Sequence, residues 1–158
     1  MNVKKVGLLI AITMIIIFVI LFVPYERIYI KKSEPIKYLP NEKPVGLIEA
    51  YNNYIVLSYG TLLNRNEEEF FSQLLRFDSN ESAHSYFSKV IEEWRNAGVN
   101  FELNSSDGQK VVVCKIIESV RNKERCGIGL IKGDKLIYVS GDKTRIEKVV
   151  RWFISQKL

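Results

Sequence analysis

Two cysteines, one histidine and two short carboxylate runs are the residues of this 158-residue chain whose types could do chemistry. Cys114 and Cys126 lie in VVVCKIIESVRNKERCGIG. Their spacing is not that of a redox C-x-x-C pair, and two thiolates alone leave a tetrahedral metal site short of ligands. A hairpin centred near Val120 would set the two residues opposite each other, with Cβ atoms about 4.5–5.5 Å apart, close to what a disulfide requires. A turn at Asn122-Lys123 would instead put them out of register and leave two buried thiols. In an exported domain an even cysteine pair most simply oxidises, so a Cys114–Cys126 disulfide is expected.

His84 is the sole histidine and falls off the apolar stripe of its helix, with no second nitrogen or sulfur ligand at motif spacing. Neither a nucleophile–base device nor a histidine metal site follows from it. Glu67-Glu68-Glu69 and Glu92-Glu93 are read as solvated charges, the first set in a turn and the second on a helix's polar side, without the raised pKa that acid–base work needs. Gly127-Ile128-Gly129 contains G-x-G but lies within a strand and opens no helix, so it is not a dinucleotide loop; the two glycines share one sheet face and give room to a bulge or a crossing helix. Catalytic residues, metal ligands and cofactors are therefore not expected, and the chain is read as a non-enzyme. Asn80-Glu81-Ser82 and Asn104-Ser105-Ser106 are glycosylation sequons, making Asn80 and Asn104 candidate modification sites. Trp152, beside Val149, Val150 and Phe153, is a candidate interface anchor or a cap on the core edge.

The elements that must position these residues begin with VGLLIAITMIIIFVILFV, residues 6–23, which carries no charge and has Thr13 as its one hydrogen-bonding side chain. As a helix it would rise roughly 27 Å, enough to cross a bilayer core. The run is longer than a signal-peptide core of about 7–15 residues, and no small-x-small cleavage site follows it. An uncleaved anchor is expected, with residues 1–5 as a cytoplasmic tail and the C-terminal part exported. Arg27, Lys31, Lys32 and Lys37 outnumber Lys4 and Lys5, so a strict count of basic flanks opposes that orientation. Residues 24–44 hold all four prolines and no glycine, and are read as a stiff basic stalk.

Residues 1–44 carry a net +4 of the chain's +5, leaving residues 45–158 nearly neutral at +1. A basic collar beside a bilayer attracts anionic headgroups, whereas nucleic-acid binding would need a basic patch in the folded part; nucleic acid is excluded. Residues 45–109 are −6 and residues 110–158 are +7, a dipole if the halves occupy separate surfaces and a cancelling pattern if the fold interleaves them.

Within residues 45–158, strands are predicted over 54–63 and 69–77, joined by a turn at Asn64-Arg65-Asn66. Ala83, Tyr86, Phe87, Val90, Ile91 and Trp94 form one helical stripe, with Asp78 and Glu81 as a capping box and Gly98 as its stop. Strands are predicted over 99–103, 110–117, 125–131 and 135–140, the last two joined by Gly133-Asp134, and a second helix from Asp142. The order β-β-α-β-β-β-β-α implies an α+β domain: an antiparallel sheet with two helices packed on one face, behind an N-terminal transmembrane helix. The expected function is that of a single-pass, membrane-anchored extracytoplasmic binding domain, a sensor, adaptor or accessory subunit of a membrane complex. It would hold lipid through residues 6–23 and the basic stalk, and a protein or small ligand through the domain. The rivals are a membrane-tethered enzyme using carboxylates in a cleft, and the same domain facing the cytoplasm.

Overall fold

A computed structural model describes residues 3–104, 110–116 and 124–156, with side chains for 6–102 and 124–156. The fold is α+β. Helix α1 (Val3–Phe22) leads into β1 (Tyr25–Pro35), β2 (Leu47–Gly60), β3 (Arg65–Phe77), α2 (Asn80–Asn96), β4 (Glu102–Asn104), β5 (Lys110–Ile116), β6 (Glu124–Lys132), β7 (Lys135–Asp142) and α3 (Ile146–Ser155). The seven strands form one antiparallel sheet in the order β1-β2-β3-β7-β6-β5-β4.

Lys4 and Lys5 occupy the first turn of α1, so its apolar stretch is residues 6–22, rising about 25 Å against a bilayer core of about 30 Å. Among the described residues no helix is long and apolar enough to cross a membrane. The side chains of α1 are nevertheless apolar and exposed, among them Leu8, Leu9, Ile15 and Phe18, and α1 belongs to neither core cluster.

Residues 24–44 do not form a free stalk. Tyr25–Pro35 is the edge strand β1, paired with β2 from Tyr25↔Gly60 to Pro35↔Tyr51. Proline permits this because Pro35 closes the strand and Pro24 precedes it, so no ladder donor is missing from the strand interior. The turn between β2 and β3 is also earlier than predicted: β2 ends at Gly60, β3 starts at Arg65, and Thr61 and Asn64 close the loop through reciprocal backbone hydrogen bonds of 3.1 and 3.2 Å.

The two helices of the domain pack on opposite faces of the sheet, not on one. Cross-strand register sets the sides: Leu130↔Ile137 and Ile128↔Val139 share one face, Ile131↔Leu136 and Gly129↔Tyr138 the other. The first face buries Ile55, Leu57, Phe70, Ile128, Ile137 and Val139 beneath Ile146, Val149, Val150 and Phe153 of α3. The second buries Ala50, Leu75, Ile131 and Leu136 beneath Ala83, Phe87 and Ile91 of α2. Three layers result, helix on sheet on helix. Strands in such a sandwich are apolar on both sides, as the unbroken buried runs 55–57 and 126–129 are.

Helix α2 starts from Ser79, whose hydroxyl accepts from the Ser82 N–H at 3.1 Å, and not from Asp78. Gly98 follows its end with φ +68°, as a C′ glycine does. Asp142, expected to open the last helix, ends β7 and accepts the Thr144 N–H at 2.9 Å; α3 begins four residues later.

Candidate functional site

The α2 face of the sheet carries a pocket. Its floor is a row across three strands, Gln73↔Tyr138↔Gly129, extended by Leu75 and Leu136. Gly129 contributes no side chain, so the floor dips there. A Cβ at Gly129 would meet only the rings of Phe87 and Tyr138, at 3.7 and 3.8 Å. Phe87, Val90 and Trp94, spaced three and four residues apart on α2, form the roof, and Tyr38 and Tyr86 stand at the mouth. The cavity holds about 280 Å³.

Its walls are aromatic with sparse polar groups. Trp94 meets Tyr138 edge-on at 6.5 Å and Phe101 at 6.3 Å, and Tyr86 leans on Phe77 at 5.5 Å. Gln73 donates from Nε2 to Asn52 Oδ1 at 3.1 Å, which orients its amide in the floor. The Tyr138 ring lies over Gly127, where an added Cβ would be 2.2 Å from the phenol oxygen. Burial raises the pKa of Tyr38, Tyr86 and Tyr138, opposed at Tyr138 by a hydrogen bond with Ser140. Burial thus favours the neutral phenols beside an apolar cavity.

A wider depression of about 570 Å³ lies on the other side of Tyr86, between residues 41–45 and α2. Its charged walls, Glu42, Lys43, Glu81 and Lys89, are all exposed, so a ligand there would displace solvent from mobile charges for little gain.

The carboxylate run predicted for a turn lies in β3 and splits between faces. Glu67 pairs with Arg65 and Glu69 with Lys31 on the exposed α2 side. Glu68 faces α3, where it accepts from the Tyr59 hydroxyl at 2.8 Å and lies 3.5 Å from Arg145 Nε. The Arg145 guanidinium sits 3.8 Å over the Tyr59 ring. The hydrogen bond to Glu68, followed by burial, raises the pKa of Tyr59. This cluster ties the start of α3 to the sheet. Glu92, Glu93 and His84 are exposed on α2, as expected, and among the described residues no three of His, Cys, Asp and Glu gather as a metal site.

Cys114 and Cys126 are direct partners in the β5–β6 register, which centres the hairpin on position 120, the alignment the disulfide needs. Cys126 is 3% exposed, in the core under α3, and among the described residues no cysteine is free. The side chain of Cys114 and residues 117–123 lie outside the described residues. Asn80 is the exposed first residue of α2. Asn104 ends β4 opposite Lys110, its side chain outside the description. Trp152 is part-buried against the α3 core cluster, at the core edge. Asn80, Cys126 and Trp152, whose side chains are described, do not line the aromatic pocket.

The pocket's α2 residues were visible as a helical stripe, where the period assigns them to the core. Gln73 and Tyr138 could not be found that way, since β-register alone unites them, and Tyr38 joins them from the loop between β1 and β2. Compared with known protein families, curated proteins and solved structures, the chain matches none.

Proposed function

We propose that this chain is a single-pass, membrane-anchored domain displayed outside the cytoplasm, which works by binding and not by catalysis, as a sensor, adaptor or accessory subunit. The aromatic pocket under α2 carries the reading. A cavity of this size, walled by Tyr38, Tyr86, Phe87, Trp94 and Tyr138 with one oriented amide at Gln73, suits a small ligand with a flat apolar part and one or two polar groups.

Helix α1 supplies the anchor. An exposed apolar surface along a whole helix requires a non-aqueous partner. Its apolar stretch is a few ångströms short of an average bilayer core, a mismatch met by Val23 and by modest local thinning. Arg27, Lys31, Lys32 and Lys37 then sit near the lipid surface. Cys114 and Cys126 close a disulfide across β5 and β6, supported by their register and consistent with an oxidising compartment. Against catalysis, the part-buried carboxylate Glu68 is engaged by Tyr59 and Arg145.

Ligand-detected NMR tests the pocket, with indole and p-cresol as probes on the full chain in lipid nanodiscs. Saturation transfer to either probe is expected for the native protein and is lost in Gly129→Leu, whose side chain fills the floor. Empty nanodiscs set the background. Absence of transfer to the native protein, or transfer unchanged in Gly129→Leu, would overturn the reading.

A further inference from the structure

The tip of the β2–β3 hairpin is Thr61-Leu62-Leu63-Asn64, and both leucines are exposed, at 60% and 63%. Tight hairpin loops ordinarily carry Gly, Asn, Asp or Ser at such positions. Here Thr61 and the backbone of Asn64 brace the loop. Thr61 N–H donates to the Asn64 carbonyl at 3.1 Å, Asn64 N–H donates to the Thr61 carbonyl at 3.2 Å, and Thr61 Oγ1 also accepts from Asn64 N–H at 3.1 Å. Gly60, at φ +117°, lets the chain turn where a Cβ would strike the Asn64 carbonyl oxygen. The leucines are thus held out on a braced support.

Topology decides what they meet. Strand β1 leaves the end of α1 and β2 returns antiparallel to it, so the last rung of the ladder, Tyr25↔Gly60, is at the helix end of the sheet. Only residues 23 and 24 separate Phe22 from Tyr25, which limits that rung to about 11 Å from the end of the helix. The loop continues beyond the rung. Its shoulders are Tyr25, Arg27, Tyr29 and Arg65, with the Arg27 guanidinium 5.5 Å over the Tyr29 ring. Tyrosine and arginine are residue types that settle at headgroup depth.

We propose that Leu62 and Leu63 insert into the lipid surface beside α1, a second membrane contact that holds the sheet upright and its pocket away from the bilayer. This rests on α1 being a membrane anchor. Val45, 90% exposed near the opposite end of β2, is then about 40 Å from the tip and in water.

The test places a nitroxide at one site at a time, as Phe18→Cys, Leu62→Cys and Val45→Cys, in the full chain reconstituted into phosphatidylcholine–phosphatidylglycerol vesicles. Unsubstituted protein carried through the same labelling gives the background. Collisional relaxation by oxygen is expected to exceed that by a water-soluble nickel chelate at positions 18 and 62, with the order reversed at 45. A lipid signature at 18 with an aqueous one at 62 overturns the hairpin contact and leaves the anchor standing. An aqueous signature at 18 overturns the anchor, and the hairpin contact with it.

Discussion

At Gly141 the missing side chain is a packing requirement. A Cβ there would lie 2.1 Å from Phe70 Cδ1, and Phe70 is fully buried in the α3 core. Gly129, on the opposite face, has room for a methyl group at ordinary contact distance. Gly141→Ala is therefore expected to lower stability by about 1–3 kcal/mol through overpacking, whereas Gly129→Ala changes it by less than about 1 kcal/mol. Urea midpoints of the two variants measure the contrast, and equal midpoints would contradict the assigned packing. The sequence pattern places Gly127 and Gly129 on one face, with room for a bulge or a crossing helix, and at Gly129 the helical neighbour is Phe87 of α2. The occupant at Gly127 is the tyrosine ring of the neighbouring strand, placed there by a diagonal relation that only the β6–β7 register creates.

Among the elements, α2 was the most legible. Its stripe, its stop at Gly98 and its length all follow from local pattern, while its cap moved by one residue from Asp78 to Ser79 because either side chain can accept from the first turn. What lies beneath α2 was not legible. Tyr38, Tyr86 and Tyr138 come from a loop, the helix and β7, and each is raised above the ordinary phenol pKa chiefly by burial. Their protonated form is favoured in the folded state, so this contribution to stability is complete below pH 10, the unfolded value. It is lost as pH rises from there through the higher folded values. Urea unfolding from pH 9 to pH 11 should show stability falling above about pH 10, with a shallower fall in Tyr138→Phe. Identical slopes in the two proteins would contradict the burial of that phenol.

For the whole molecule, the charge halves are partly interleaved. Arg145 of the basic half meets Glu68 of the acidic half, and Lys148 reaches Glu26 at the start of β1. The latter pairing joins α3 to a strand that composition had assigned to a stalk, so the folded unit begins immediately after α1. Display outside the cytoplasm and a closed Cys114–Cys126 bond make one joint prediction. In intact cells a membrane-impermeant thiol reagent should label the protein only after reduction, which releases both cysteines. Labelling of both after lysis without reductant would instead place the domain in the cytoplasm with free thiols. Loss of the bond is expected to cost about 2–3 kcal/mol, by freeing a short loop in the unfolded chain.

Local patterns in the sequence were enough for the apolar character of residues 6–23, the α+β class, the β-β-α-β-β-β-β-α order after β1 and the Gly133-Asp134 turn, while the facing of positions 114 and 126 was one of two registers the sequence allowed. Each depends on periods of 2.0 or 3.6 residues, or on a turn a few residues long. Three features were decided by tertiary structure: the recruitment of Tyr25–Pro35 as an edge strand, the placement of α2 and α3 on opposite faces, and the pocket between α2 and the sheet. A helical stripe says that a helix must bury a face without saying against which side of a sheet. Two covered sides were signalled by the unbroken apolar runs Ile55–Leu57 of β2 and Cys126–Ile131 of β6, because a strand with one side in water alternates and these do not.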